Sequence, residues 1–155
     1  GGLVGEIEGG EISLSSSDTS FNQNGSNANE YALIALCGKA TNCEIDQSYA
    51  EFETINSLAI SDKFSLLAEN GAGVSVTDCY VNITKFKLSA TLEKISLTSE
   101  TYLFLDSSSA EKLNSIKSST TKELIVSTDK GEKTLDKSVW FALDSRLLLK
   151  GNYWA

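Results

Sequence analysis

The side chains that could do chemistry in this chain are carboxylates, hydroxyls and three thiols, because its 155 residues include no His. Ser-His-Asp and Cys-His units, His-ligated zinc or copper, and an imidazole pH switch are excluded on that ground. Carboxylates come in strand-spaced pairs, Glu6 with Glu8 and Glu51 with Glu53. Residues two apart on a strand share a face, so such a pair could hold Ca²⁺ or act as acid and base in glycoside hydrolysis. A solvated strand face accounts for the same spacing more simply, and no D-x-D-x-D-G loop accompanies it. Ser115 with Lys117 lacks the S-x-x-K context of a Ser-Lys hydrolase. The chain therefore reads as a non-enzyme with no catalytic residue, no metal and no cofactor. A carboxylate-dependent hydrolase using Glu51 and Glu53 stands as the remotest alternative.

Three Cys are an odd number. Cys37 and Cys43 flank the polar, Gly-containing stretch Gly38-Lys39-Ala40-Thr41-Asn42, so a local disulfide between them is expected. Closing so short a loop would contribute about 2.4 kcal/mol by the chain-entropy relation, enough to pin a loop. Three reduced thiols are the alternative. Cys79 then reads as a lone buried thiol, or as the true partner of Cys37 or Cys43. A metal site is disfavoured, since no C-x-x-C pair or fourth soft ligand accompanies them.

The charge balance limits the partners. Twenty-one acidic residues against 13 basic ones give a formal charge of −8, with a pI near 4.5. Nucleic acid and anionic membranes reward clustered Lys and Arg, so neither is expected as a partner. No run of 18 apolar residues is present, which argues against membrane insertion by a helix. Gly1 stands where an initiator Met would, which reads as an upstream segment removed. Positions 1–80 carry 12 acidic and 2 basic residues and positions 81–155 carry 9 and 11. A subunit polarised in this way could meet further copies end to end.

Two sequons, Asn24-Gly25-Ser26 and Asn82-Ile83-Thr84, are candidate glycosylation sites if the chain is secreted. Tyr153 and Trp154 near the C-terminus are candidate contact aromatics, either docked on the chain's own sheet, at a subunit interface, or stacking on a glycan.

These residues are to be positioned by a mainly β fold. Residues 1–14 mix Gly, Glu and aliphatics and residues 15–29 are Ser/Asn-rich, so 1–29 read as an N-terminal arm and polar linker ahead of one globular domain at 30–155. Leu3, Val4, Ile7 and Ile12 of that arm are the candidate subunit-contact residues, able to add a strand to the sheet of a neighbouring copy. Within the domain, 31–36 reads as a buried strand, Ile45–Ile60 as a helix by a slight margin over a strand, and Phe86–Leu92 as a strand with one dry face. The phase slip at Glu93 and Lys94 reads as a bulge. Residues Ala110–Lys117 read as a capped short helix. Glu123–Leu135 reads as a hairpin turning at Asp129-Lys130-Gly131, and Val139–Leu143 with Leu147–Leu149 as two further strands. No repeat of 20 to 50 residues stands out. The expected fold is an antiparallel β-sandwich with one short helix and an extended arm, with α+β as the alternative. The expected role is a non-catalytic structural subunit of an extracellular assembly, a cell-surface filament or a virion component, with copies of itself as partner. A monomeric secreted module binding glycan or protein is the second reading.

Overall fold

The structure, a computed structural model, describes residues 2–21, 34, 36–54, 67–85, 100–104, 116–118, 123–143 and 146–151. They form fifteen strands and no helical segment, so the fold is mainly β. The expected strand at 31–36 is described only at Ile34 and Leu36, and the expected strand and bulge at 86–94 lie outside the described residues. The expected helix at 110–117 lies outside them as far as residue 115. Its last two residues belong instead to a strand, Ile116–Ser118.

The first nine strands repeat one unit three times. The first rung is β1 (Val4–Glu8), β2 (Glu11–Ser13) and β3 (Ser16–Phe21). The second is β4 (Cys37–Thr41), β5 (Glu44–Asp46) and β6 (Tyr49–Thr54), and the third is β7 (Ala68–Asn70), β8 (Ser75–Thr77) and β9 (Cys79–Lys85). Like strands stack in parallel, giving sheets in the order β1-β4-β7, β2-β5-β8 and β3-β6-β9, the last extended by β10 (Thr101–Phe104). This is a parallel β-helix, in which each rung lies one strand spacing, about 4.8 Å, from the next. The expected antiparallel sandwich is not what these residues form. Of the stretch Ile45–Ile60, expected to be helical, the residues as far as Thr54 are a strand, a corner and a second strand, and 55–60 lie outside the described residues.

A constant offset of 33 residues relates the first two rungs: Val4 lies opposite Cys37, Ile12 opposite Ile45 and Ser16 opposite Tyr49. The second and third are offset by 31 at Ile45–Val76 and Tyr49–Tyr80, with register shifts after Cys37 and after Glu51. The repeat escaped the sequence reading because only the shape of each position is kept. Glu11-Ile12-Ser13, Glu44-Ile45-Asp46 and Ser75-Val76-Thr77 occupy one place, and Ile12, Ile45 and Val76 form one buried column.

Corners need backbone that turns sharply, and they take it from positive φ. Leu14, Gln47 and Asp78, with φ of 48°, 43° and 50°, occupy the same corner in successive rungs. The other corner uses Gly9, Asn42 and Gly73. At Gly73, with φ of +70°, the conformation favours glycine, and a Cβ would also displace the Asn42 side-chain amide.

The remaining strands pair locally. β11 (Ile116–Ser118), β12 (Leu124–Thr128) and β13 (Gly131–Leu135) form an antiparallel sheet, and β14 (Trp140–Leu143) pairs antiparallel with β15 (Arg146–Leu149). The expected hairpin is present, with Asp129 and Lys130 at its tip and Gly131 at φ +100°. Two cores result. One fills the interior of the rungs, and the other lies between the outer face of the β3-β6-β9-β10 sheet and the C-terminal strands.

Candidate functional site

The opening residues, expected to reach into a neighbouring copy, form the first rung of their own stack. Leu3 and Val4 donate backbone N–H bonds to Leu36 O at 2.9 and 3.0 Å, and β1 runs parallel beside β4. The expected boundary at residue 29 therefore falls after the first rung rather than before the body. The reason is the interior column: Val4 and Ile7 pack against the core and Ile12 is buried in it, which an arm in solvent would forgo. Among the described strands, β1, β2 and β3 come at one end of their sheets. Val4 and Ile7 are half-buried where their partners Cys37 and Ala40 are fully buried, and Leu3 and Leu14 are 50% and 52% exposed. Among the described residues, no strand covers the outer edges of β1 and β2. Glu6 on β1 is held by Lys39 of the rung below at 2.8 Å.

The cysteines are corrected as well. All three are free thiols, so the expected Cys37–Cys43 disulfide is absent. Each occupies an inward position, which a bridge in an exposed loop would not. Cys37 Sγ donates to Lys39 O at 3.2 Å, and Cys79 Sγ lies 3.3 Å from Thr77 O and 3.6 Å from Ile45 O. Burial raises the pKa of all three, that of Cys79 up to about 12, so none is poised as a nucleophile.

The paired carboxylates part company. Glu51 is 4% exposed and accepts the Tyr49 hydroxyl at 3.2 Å, whereas Glu53 is exposed. The ladder register shifts between them. Glu11, Glu44, Asp46 and Asp78 gather near the corner; burial first and Asp78 second raise the pKa of Asp46. Among the described residues no three Cys, Asp or Glu side chains converge as metal ligands would.

Asn82 of the second sequon sits in β9 between β6 and β10 and is 5% exposed, so its amide offers no room for a glycan in the folded chain. Asn24, Tyr153 and Trp154 lie outside the described residues.

What sequence reasoning missed is the outer aromatic ladder. Tyr49, Tyr80 and Tyr102 share one register position on successive strands, and all three join the second core. The Tyr80 and Tyr102 rings stack at 5.3 Å, and Trp140 meets Tyr80 edge-on at 5.4 Å. Tyr80 donates to Asp78 at 2.8 Å; burial and that bond raise its pKa. From the hairpin, Lys130 and Lys133 place their ammonium groups 4.9 and 4.4 Å from the Tyr102 ring centroid, and Lys130 donates to Thr101 O at 2.6 Å. The hydroxyl of Tyr102 holds the Lys133 pKa up. The matching hexads Glu44-Ile45-Asp46-Gln47-Ser48-Tyr49 and Ser75-Val76-Thr77-Asp78-Cys79-Tyr80 were the available signal. The ladder is an internal seam closed by the C-terminal strands, and its chemistry is packing. No protein-family model, curated protein or solved structure matches the chain.

Proposed function

We propose that this chain is a non-catalytic structural subunit of an extracellular assembly, a surface filament or a virion component, in which the rungs act as a stiff spacer and the first rung meets further copies. One observation carries the reading. Among the described residues, half-buried Val4 and Ile7 and exposed Leu3 and Leu14 lie along β1 and β2, whose outer edges no described strand covers. The Ser-, Thr- and Asn-rich acidic composition supports a location outside the cell. Buried thiols and a Glu51 bonded to Tyr49 support a role without catalysis. The contact is edge stacking of a folded rung; donation of a loose strand is not part of it.

Light scattering behind size exclusion, over a wide concentration range, tests the reading. Species heavier than the 16.7 kDa chain are expected to grow with concentration. A mass fixed at one chain throughout overturns it. Electron microscopy of native material then distinguishes filament from virion.

A further inference from the structure

Among the described residues, four that are not glycine hold a left-handed backbone: Leu14, Asn42, Gln47 and Asp78, with φ between 43° and 50°. Each is followed by a serine or a cysteine, namely Ser15, Cys43, Ser48 and Cys79. The side chain of that next residue reaches back over the corner. Ser15 Oγ donates to Ser13 O at 2.9 Å, Ser48 Oγ to Asp46 O at 2.8 Å and Cys79 Sγ to Thr77 O at 3.3 Å. Cys43 hydrogen-bonds the backbone of Thr41 across Asn42. The glycine corners lack this arrangement: Gly9 is followed by Gly10 and Gly73 by Val74, neither of which carries a side-chain donor. Since Asn42 takes the same corner as Gly9 and Gly73, the donor comes and goes with the Cβ of the residue before it.

From this pairing we infer that Ser15, Cys43, Ser48 and Cys79 are corner latches, short donors that hold a residue bearing a side chain in the left-handed conformation glycine adopts unaided. The reason is geometric. A left-handed residue other than glycine crowds its own Cβ against the following carbonyl and leaves that conformation unless its surroundings hold it. A hydroxyl or thiol carried directly on Cβ is short enough to bond the carbonyl on the far side of the corner, closing a small ring around the crowded residue. The carbonyls so engaged, those of Ser13, Asp46 and Thr77, end β2, β5 and β8.

Three of the latches stand one above another. Tyr49 N–H donates to Ser15 O at 2.9 Å and Tyr80 N–H to Ser48 O at 3.0 Å, which aligns Ser15, Ser48 and Cys79 on successive rungs. Ser48 and Cys79 are fully buried there. Cys79 thus fills a serine's place, and what the corner uses is the proton on its sulfur rather than the sulfur's nucleophilicity. Cys37 differs, since it donates forward to Lys39 O with no left-handed residue between them.

The order of two substitutions at Cys79 tests this. A buried thiol that only fills space behaves as a small hydrophobe, so alanine would replace it better than serine. A latch reverses that order. Cys79→Ser is expected to keep the parent's urea midpoint at neutral pH, whereas Cys79→Ala lowers the folding equilibrium constant roughly tenfold. Ser48→Ala should lose stability likewise, and Ser15→Ala, at a half-buried corner, should lose less with the same sign. Hydrogen exchange of the Tyr80 amide, just beyond the third corner, should quicken in Cys79→Ala while the hairpin amides keep their protection. Cys79→Ala as stable as Cys79→Ser, or more so, overturns the latch. Should neither variant at 79 fold, Ser48→Ala and Ser15→Ala decide, and parental stability in both overturns it. The assembly proposed above does not depend on the outcome.

Discussion

The rungs and the C-terminal strands are both sheets, but they are stitched over different lengths of chain. In the rungs, partners such as Ile12 and Ile45 or Tyr49 and Tyr80 are more than thirty residues apart. In the hairpin, Thr128 faces Gly131 and Leu124 faces Leu135. Local pairings close small loops cheaply, whereas each rung gains its bonds only after a long excursion has been ordered. The C-terminal strands can therefore form early but bury little alone; the rungs supply the face on which they pack, with Tyr80 touching Trp140 at the boundary.

The largest test severs that boundary. Trp140→Ala removes a side chain 1% exposed and should cost about 3–5 kcal/mol. Urea melts followed by circular dichroism are then expected to lose their single transition, the hairpin region yielding first. Retention of one cooperative transition would show that the two regions are joined by more than the tryptophan. Ile45→Ala strikes the rungs alone, in the middle of the Ile12–Ile45–Val76 column, and should cost about 2–5 kcal/mol with the hairpin's own amide protection preserved in hydrogen exchange.

Alkaline pH sharpens the comparison, because the thiols all lie in the rungs. The Cys79 pKa is pushed from 9.0 when unfolded up to about 12 when folded. The folded state therefore keeps a proton that the unfolded state loses, and stability is full below pH 9 and falls as pH rises from there towards 12. The loss from Cys79 should be about 1.4 kcal/mol at pH 10, read as a shift in the urea midpoint that Cys79→Ser removes. At pH 8 the folded chain should resist alkylation at all three Cys until denaturant is added.

Corner chemistry gives smaller effects. Gly73→Ala should cost more than about 1 kcal/mol, from φ of +70° and the collision with Asn42. Gln47→Asn, at φ 43°, should be neutral or stabilise by about 0.5 kcal/mol, since Asn tolerates this conformation better. A destabilised Gln47→Asn protein would mean that the glutamine side chain, and not its backbone, shapes that corner.

The contrast also explains what could be read from sequence. The hairpin was legible because alternating Leu124, Val126 and Thr128 meet a turn glycine within a few residues. The strand 49–54 was obscured because Tyr49 and Phe52 also satisfy a helical spacing, and only neighbours 31 and 33 residues away decide between them. Glu11-Ile12-Ser13, Glu44-Ile45-Asp46 and Ser75-Val76-Thr77 do alternate, but over three residues each, too few to mark a strand on their own. The short Cys37–Cys43 spacing suggested a bridge for the same reason. Proximity in the chain was visible, while the inward direction of both side chains was set by rungs above and below.

The stretches 3–21, 36–54 and 67–85 are equal in length although successive rungs are offset by 33 and then 31. The difference therefore resides in the lengths of the segments 22–35 and 55–66. Those two segments already differ by two residues while the columns stay aligned, whereas a single residue gained inside Glu44–Asp46 would carry Ile45 out of line with Ile12 and Val76. Length variation among descendants of this chain should accordingly gather along one vertical seam of the molecule.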